Sequence, residues 1–527
     1  MTGPQSCRMV GACLAVLLLM LTMPGMSGTA QENVAITIGT TDFPRTVDPA
    51  DAIDYPSWEL MTHLYTGLTR QVPGTLSYEL ALASGYTISS DGLIHTFTIR
   101  PDAAFDDGTP ITAGTFATSI NRVIGLGRGS ADFISRFIAD VRVSGDDGNA
   151  LQFVLRIPLP DFEALVALPP FFPQHPLAFP ADDLLDLQHA DAFIGNGVYR
   201  LESVLPGQEI VLAANPAFQG PPALNARVIL RRYQLPIDLR RALQTGEVDI
   251  AWRGLALPDL DALARLPEIV IQRQPNLHVF YLLFNQNQLS INNQLSFDDP
   301  ALRQAFALLI DRERAAAHGF DHTVTPLYSL LPPQFGQDPV LFPTRDAAMA
   351  DAVLREAGYR PRRRTVQTPL YISSENYGDL MIDAAQELRR SLEENEIVNI
   401  SAIIDDRTAT FTRTVLRGEY LNAVIGWRPL FASPAGYLIP LAHSTWPVPA
   451  GGGYASDAID ALLRQAALVT DSEERMTIDR AVERLLRDDY ALLPLWQGQD
   501  VIAYREGVSG VMVEANSWLR YDTLVRR

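Results

Sequence analysis

The stretch HVFYLLFNQNQLSINNQLSFDDPALRQAFALLIDRER, residues 278–314, carries the clearest structural pattern in the chain. Residues 279–284 are all apolar, and a short apolar run of this kind is typical of a strand buried on both faces. An amide-rich loop follows from Asn285. Asp299 then fits a helix N-cap and Pro300 a first helical position, with apolar residues at helical spacing behind them. We interpret this stretch as the crossing from one lobe of the protein to another.

Outward from this stretch, the pattern predicts a mixed α/β protein. Towards the N-terminus, short strands and β-hairpins come first, and strands then alternate with helices up to about residue 280. A helix is expected from Ser57, with Ser57 as its cap, and another from Thr112. Towards the C-terminus helices dominate, including a long one at residues 377–395, before the chain returns to short strands.

Size and charge limit the class of protein. With 527 residues the chain is too long for one hydrophobic core, so two or three domains are expected. A hydrophobic content of 47% and a charged content of 20% are those of a soluble globular protein. The net charge of -19 argues against binding to nucleic acid or to an anionic membrane surface.

The N-terminus has the composition of a secretory signal. Arg8 precedes an apolar run at residues 9–23, and Ala30 ends a small-x-small cleavage pattern, so we expect residues 1–30 to be removed. The apolar run is shorter than the ~20 residues that a membrane span needs. Cys7 and Cys13 both precede the predicted cleavage point, so the mature chain would have no disulfide, thiolate metal site or cysteine nucleophile.

The sequence shows no pattern that predicts catalysis. It contains no H-E-x-x-H and no G-x-S-x-G motif, and it contains no lysine, which a P-loop requires. His318 and His322 are four residues apart, but Gly319 lies between them and a surface pair is the favoured interpretation. We therefore predict no catalytic residue, no metal site and no cofactor.

Several short motifs together resemble one family. The most distinctive is FDDGTPITA at residues 105–113, with Asn121 and Arg122 after it. The others are GNGVY at 195–199, NP at 215–216, LQTGEVDI at 243–250, FN at 284–285, LRQA at 302–305, IDR at 310–312, AGY at 357–359 and LPL at 493–495. In this order they resemble the periplasmic solute-binding proteins of peptide-type ABC importers, which include dipeptide- and oligopeptide-binding proteins.

The resemblance implies a fold. It is an α/β architecture of two lobes joined by a hinge, with an extra subdomain in lobe one. We place lobe one at residues 31–280, with the extra subdomain at about 72–190. Lobe two would span residues 281–491, and residues 492–527 would return to lobe one.

The resemblance also implies where a ligand lies. In the family, the ligand binds between the lobes as a short extended strand. One lobe presents the segment after a D-P turn, which here is Ile53, Asp54 and Tyr55. The other lobe presents a Gly-Trp pair, which here is Gly426 and Trp427. The full set of predicted ligand-binding residues is Ile53, Asp54, Tyr55, Asn285, Gly426, Trp427, Arg428 and Leu430.

One position departs from the family pattern. Family members place an aspartate three residues after the tryptophan, where it pairs with the α-amino group of a peptide, but this chain has Leu430. A leucine cannot pair with an ammonium group, and a buried unpaired charge is costly. Arg428, with Arg413 and Arg417 nearby in sequence, could instead meet a carboxylate or phosphate. Asp54 could replace the missing acid from the opposite lobe.

These patterns predict a periplasmic, non-catalytic and monomeric protein. It would capture a peptide or peptide-like solute between its lobes and deliver it to an inner-membrane ABC permease with its ATPase subunits. Three alternatives remain open at this point: a secreted hydrolase, a ligand-sensing partner of a membrane receptor, and a periplasmic chaperone. The sequence leaves open whether the ligand is a peptide, a modified peptide, an opine-like compound or a sugar derivative.

Overall fold

The computed structural model describes residues 35–145, 148–186, 193–287, 297–336, 341–469 and 471–527. The predicted signal sequence and most of the amide-rich loop after Asn285 lie outside the described residues. No described helix is both long enough and apolar enough to cross a membrane.

Strands and helices alternate along the described chain. The strands are β1 (Ile36–Thr40), β2 (Thr69–Gln71), β3 (Tyr78–Leu80), β4 (Ala83–Ile88), β5 (Ile94–Ile99), β6 (Ile138–Ser144), β7 (Ala150–Leu155), β8 (Tyr199–Leu205), β9 (Glu209–Ala214), β10 (Arg227–Arg232), β11 (Ile250–Trp252), β12 (Ile269–Phe284), β13 (Val324–Pro326), β14 (Val366–Ile372), β15 (Val398–Asp405), β16 (Asn422–Trp427), β17 (Leu492–Arg505), β18 (Val508–Ser509) and β19 (Val525–Arg526). The helices are α1 (Tyr55–Leu64), α2 (Ala113–Leu126), α3 (Ala131–Phe137), α4 (Phe162–Val166), α5 (Pro236–Thr245), α6 (Leu257–Leu263), α7 (Pro300–Leu309), α8 (Arg312–His318), α9 (Ala347–Glu356), α10 (Ser374–Tyr377), α11 (Leu380–Glu393), α12 (Thr408–Arg417), α13 (Ala435–Ala442), α14 (Pro447–Gly452), α15 (Asp457–Ala466) and α16 (Ser472–Asp488).

The large central sheet contains 11 strands. Their order is β15-β14-β16-β12-β17-β11-β1-β10-β9-β8, and β13 pairs with β17 outside this path. The two long strands β12 and β17 lie side by side and antiparallel in the middle of the sheet. Strands from the predicted lobe two lie on one side of this pair, and strands from the predicted lobe one lie on the other.

Strand β12 changes character along its length. Its second half, residues 279–284, is at most 4% exposed and pairs with β16 on one side and β17 on the other, as the apolar run predicted. Its first half is only partly buried and pairs with the far end of β17. The register of the β12–β17 pair shifts between Pro275 and Val279. A bulge of this kind bends a strand, so the two halves point in different directions.

A second, four-stranded sheet lies within the residues predicted for the extra subdomain. Its order is β4-β5-β7-β6, all antiparallel, and helix α2 packs on it. Helix α2 begins at Thr112 with a reciprocal capping box to Thr115, which confirms the predicted cap. The lobe and subdomain boundaries themselves stay a prediction.

Two element predictions need correction, and one predicted helix needs new bounds. Helix α1 is capped by Asp54 and not by Ser57, because the Asp54 carboxylate accepts a hydrogen bond from the Ser57 backbone N–H. The long helix expected at residues 377–395 is α11, Leu380–Glu393, which begins three residues later than predicted because Gly378 adopts φ 88° and separates it from the short α10. The C-terminal segment begins with the 14-residue strand β17, since its apolar half is paired on both sides.

Candidate functional site

Strand β16 ends where the two lobes meet, and its last residues include the predicted Gly-Trp pair. Gly426 lies opposite Phe280 of β12, and Trp427 lies opposite Val279. A Cβ atom at position 426 would lie 2.3 Å from His278 Nε2 and 2.7 Å from the ring of Tyr377. Only glycine therefore lets the strand pass these two side chains at this distance.

Trp427 is anchored by its single polar atom. Its Nε1–H donates to the backbone oxygen of Gly436, at the start of α13, over 2.9 Å. The indole is half-buried. Because its donor is already used, Trp427 can offer a ligand its ring surface but no hydrogen bond.

Arg428 reaches across to lobe one. Its guanidinium carbon lies 4.9 Å above the centre of the Tyr55 ring, and one of its nitrogens lies 3.3 Å from the Ser517 hydroxyl. Burial raises the pKa of the Tyr55 phenol, so this ring stays neutral and provides a cation–π surface. The structure therefore brings together two of the residues predicted from the sequence, one from each lobe.

A cluster of mostly buried polar residues lies next to Arg428. Asp500, on β17, accepts a hydrogen bond of 2.8 Å from Asn276, on β12. Arg253 donates to the Ser517 backbone oxygen over 2.6 Å and to Glu59 over 3.0 Å. Arg253 and Ser517 both have positive φ, 62° and 68°. Strained residues of this kind often occur at functional sites, and here two of them contact each other where the lobes join.

The electrostatics of this cluster favour an anion. Burial raises the pKa of Asp500, which weakens its negative charge, although Asn276 and Arg428 oppose that effect. Burial, together with the charge of Arg428, lowers the pKa of His278 well below its usual value. His278 is therefore a neutral imidazole next to Gly426, and it does not add a second positive charge.

Asp54 and Ile53 lie beside Tyr55 but are used differently. The Asp54 carboxylate caps α1 through the Ser57 N–H over 2.9 Å and pairs with Arg45 at 3.2 Å. It lines a different surface pocket, together with Asp42 and other acids near the N-terminus. The side chain of Ile53 is 64% exposed. That Asp54 takes the place of the missing acid stays a prediction. In the structure both of its carboxylate oxygens already have partners within lobe one.

Asn285 is separated from the other predicted residues. It follows the far end of β12, six residues beyond Val279, which corresponds to roughly 20 Å along a strand. It is 1% exposed, its side-chain N–H donates to the Gly418 backbone oxygen over 2.6 Å, and its oxygen accepts from the Asn287 N–H. These contacts give Asn285 a structural role at the end of β12, where it is joined to the turn after α12.

The remaining predicted residues lie on the loop after β16 and on α12. Leu430 is 41% exposed on that loop. Arg413 and Arg417 are exposed on α12, and Arg417 lies 3.9 Å from Glu419. Neither of these arginines contacts the cluster around Arg428.

Sequence reasoning missed five residues of this cluster. They are Asn276, His278, Arg253, Asp500 and Ser517. Each lies alone in the sequence with no motif around it. The pairing of β12 with β16 and β17, the pairing of β11 with β17, and the hydrogen bond from Arg253 to Ser517 bring them together. The one available signal was the polar residues immediately before the buried run of β12, which mark the point where the strand leaves the core.

Within the described residues, no group of three or more His, Cys, Asp or Glu side chains is placed to hold a metal ion. The chemistry available at the cluster is therefore that of a guanidinium on an aromatic face, supported by buried amide and carboxylate groups. Such an arrangement binds and orients an anionic group.

Comparisons with known proteins show the family and the fold of the chain. The model of the bacterial extracellular solute-binding proteins, family 5 (middle region), matches residues 77–447, which is more than half of the chain. The chain is 26% identical over 512 residues to the probable D,D-dipeptide-binding periplasmic protein DdpA of Escherichia coli (strain K12), covering 94% of this chain and 95% of that protein.

Solved structures show the same fold. The unliganded open form of the periplasmic murein tripeptide binding protein MppA superposes with a TM-score of 0.81 at 21% identity, covering 94% of this chain and 98% of MppA. The PBP AgaA from A. tumefacien R10, in complex with agropinic acid, superposes with a TM-score of 0.69 at 20% identity, covering 94% of this chain and 99% of AgaA. These matches confirm the predicted two-lobe α/β architecture. The chain belongs to the bacterial extracellular solute-binding proteins of family 5, and it is a periplasmic binding component of an ABC importer and not an enzyme.

Proposed function

We propose that the protein binds a short peptide or peptide-like solute between its lobes, and that Arg428 pairs with an anionic group of that solute. One observation carries the proposal. Arg428 is half-buried where the lobes meet, and it forms no salt bridge with any residue that the structure describes. A partly desolvated guanidinium that has no carboxylate within salt-bridge distance is a favourable site for a ligand carboxylate.

The chemistry of the relatives supports this ligand class. DdpA is named for a D,D-dipeptide, MppA for a murein tripeptide, and AgaA was solved with agropinic acid. Peptides and acids of this kind all carry a carboxylate. Leu430 has no charge with which to hold the α-amino group of a peptide. The ion pair between Arg428 and the anionic end of the ligand would therefore contribute more to the binding free energy than any contact at position 430.

The first experiment identifies the ligand and then tests Arg428. Protein purified from the periplasm is denatured, and the released small molecules are identified by mass spectrometry. The affinity of the ligand is then measured by calorimetry for the wild type, Arg428→Ala and Arg428→Lys. We expect Arg428→Ala to weaken binding by at least about 30-fold, because an ion pair in a desolvated site is worth a few kcal/mol.

Arg413→Ala is the matched control, since Arg413 is exposed on α12 in the same lobe and its loss changes the net charge equally. It should leave the affinity unchanged. A ligand without any anionic group, or an Arg428→Ala variant that binds as tightly as the wild type, would overturn the proposal.

A further inference from the structure

A cavity of about 780 Å³ lies between the predicted extra subdomain and lobe two. Its size is in the range of small-molecule sites. The subdomain contributes Tyr78, Tyr86 and Phe162 to its wall, and lobe two contributes Phe335 and Met476. The wall therefore combines these aromatic and apolar side chains with polar and charged ones, and an occupant would touch both halves of the molecule.

Polar contacts tie the two sides of this cavity together. Asp161, which precedes α4, has φ 54°, in the left-handed region that residues other than glycine rarely adopt. One of its carboxylate oxygens lies 2.9 Å from Arg475 of α16, and the other accepts a hydrogen bond of 2.7 Å from the Ser433 hydroxyl. Both oxygens of Asp161 are thus used to hold the subdomain against lobe two.

Asp479, one turn after Arg475 on α16, lines the same cavity and has no such partner. It is 6% exposed, and among the described residues it forms no hydrogen bond and no salt bridge. Burial, together with the nearby charges of Asp161 and Glu483, raises the pKa of Asp479 to about 7, although the charge of Arg475 lowers it. A buried carboxylate in this state is costly unless a cation pairs with it.

The charges around the cavity are unbalanced. Its described lining contains three acids, Asp161, Glu163 and Asp479, and one cation, Arg475. Arg475 is already committed to Asp161. Burial also raises the pKa of Glu163, which has no salt bridge among the described residues. Two acids therefore face the cavity without a salt bridge among the described residues, beside aromatic rings that can also attract a cation.

We propose that this cavity binds a cationic group of the solute, an ammonium or guanidinium on an apolar stem, and that Asp479 is its main charge partner. The inference rests on the proposed function and names a second feature of the ligand. It also accounts for Leu430: the positive charge of the ligand is received not at position 430 but farther along the cleft.

One wall of the cavity begins close to Arg428 along the chain. Ala432 and Ser433 line the cavity, and Ala432 follows Arg428 by only four positions in the chain. Their Cα atoms are therefore at most about 14 Å apart, which is the length of a peptide of about four residues. A peptide-like solute could present its carboxylate to Arg428 and a basic group to Asp479.

The first test uses agmatine, which carries a guanidinium and an ammonium at the two ends of a four-carbon stem and no carboxylate. Its dissociation constant is measured by calorimetry at pH 8 with the wild type, Asp479→Asn and Glu473→Gln. We expect Asp479→Asn to weaken binding at least about tenfold. Glu473 is exposed on the same helix and outside the cavity wall, so Glu473→Gln makes the same change in net charge and should bind agmatine like the wild type.

The second test uses tripeptides that carry arginine at each position in turn, with citrulline peptides as neutral isosteres. At one position or more, the wild type should prefer arginine over citrulline at least about tenfold, and Asp479→Asn should reduce this preference to within about twofold. Glu163→Gln should reduce it by a smaller factor, because Glu163 is less buried.

The outcomes separate this inference from the proposed function. If peptides bind and depend on Arg428, but neither agmatine nor arginine shows a dependence on Asp479, the cavity proposal is wrong and the proposed function stands. If agmatine binds through Asp479 but no peptide or acidic solute binds, the cavity proposal stands and the proposed function is wrong.

Discussion

At position 426 the backbone of β16 passes directly against His278 and Tyr377. Gly426→Ala would place a methyl group within 2.3–2.7 Å of both side chains. We expect it to lower the free energy of unfolding by about 1–3 kcal/mol, as overpacking does, and to weaken ligand binding by displacing the strand end that carries Arg428. Urea denaturation and calorimetry measure the two effects.

Gly125→Ala is the matched control for this substitution. Gly125 lies in α2, and a Cβ atom there would meet nothing within 4 Å. The same chemical change should therefore stabilise the protein by up to about 1 kcal/mol through helix propensity. A Gly426→Ala variant as stable as Gly125→Ala would show that His278 and Tyr377 move aside easily.

Asp479 gives a prediction about pH at the same scale. Its pKa is about 7 in the folded protein, against an ordinary value of 3.8, so the folded state binds the proton more tightly than the unfolded chain does. The contribution of Asp479 to stability is therefore complete below about pH 4 and is lost as the pH rises to about 7. In unliganded protein, Asp479→Asn should raise the stability relative to wild type at pH 8, by at most about 4 kcal/mol, and by much less at pH 4.5.

Urea titrations of the wild type and of Asp479→Asn at pH 4.5 and pH 8 measure this effect. Subtracting the free energies of unfolding of the two proteins at each pH cancels the contribution of the other titrating groups. Glu473→Gln again serves as the control, and it should show the same pH dependence as the wild type. An equal effect of Asp479→Asn at pH 4.5 and pH 8 would mean that Asp479 is not protonated near neutral pH.

At the scale of elements, helix α1 depends on a cap that the sequence pattern misplaced. Asp54→Ala removes the cap and should cost about 1 kcal/mol in the free energy of unfolding, whereas Asp54→Asn should keep most of the stability because asparagine caps equally well. Denaturant unfolding of both variants measures this. The asparagine variant also tests the ligand role predicted for Asp54: retained stability with lost affinity would support that role, and retained affinity would exclude it.

The β12–β17 pair is the element that connects the lobes. Its register shift lies at residues 275–279, between the half that pairs with lobe-two strands and the half that lies beside lobe-one strands. The cluster of Asn276, His278 and Asp500 lies at the same level of the pair. We propose that the hinge of the protein passes through this bulge, so that bending of the pair would move Arg428 relative to Tyr55.

At the scale of the whole molecule, the proposed function predicts closure of the lobes around the ligand. The predicted mature chain lacks cysteine, so two introduced cysteines would carry dyes without competition. Leu177 in the subdomain is 90% exposed and Met349 in lobe two is 52% exposed. Energy transfer between dyes at these positions should increase when the co-purified ligand is added. A pair at Leu224 and Leu235, both exposed in lobe one, should show no change.

The sequence predicted much of the fold and part of the site. The buried half of β12, the caps at Thr112 and Asp299, and the family were correctly predicted, because each depends on residues that are neighbours in the chain. The contact between Tyr55 and Arg428 was predicted only indirectly, because the family resemblance places both residues at the ligand site. The unpaired state of Asp479 was invisible, since it depends on which side chains surround α16.

The sequence by itself determined the secretory α/β class, the family and the missing acid at Leu430, since composition, periodicity and ordered motifs are local properties of the chain. Only the tertiary structure decided which charges meet. Arg428 reaches Ser517, 89 residues away in the chain, and Asp161 meets Ser433 across 272 residues. Strand pairing and the packing of the lobes bring residues this far apart in the chain into contact, and no local sequence pattern predicts these contacts. The partners of a charge, and the absence of one at Asp479, therefore follow from the folded arrangement alone.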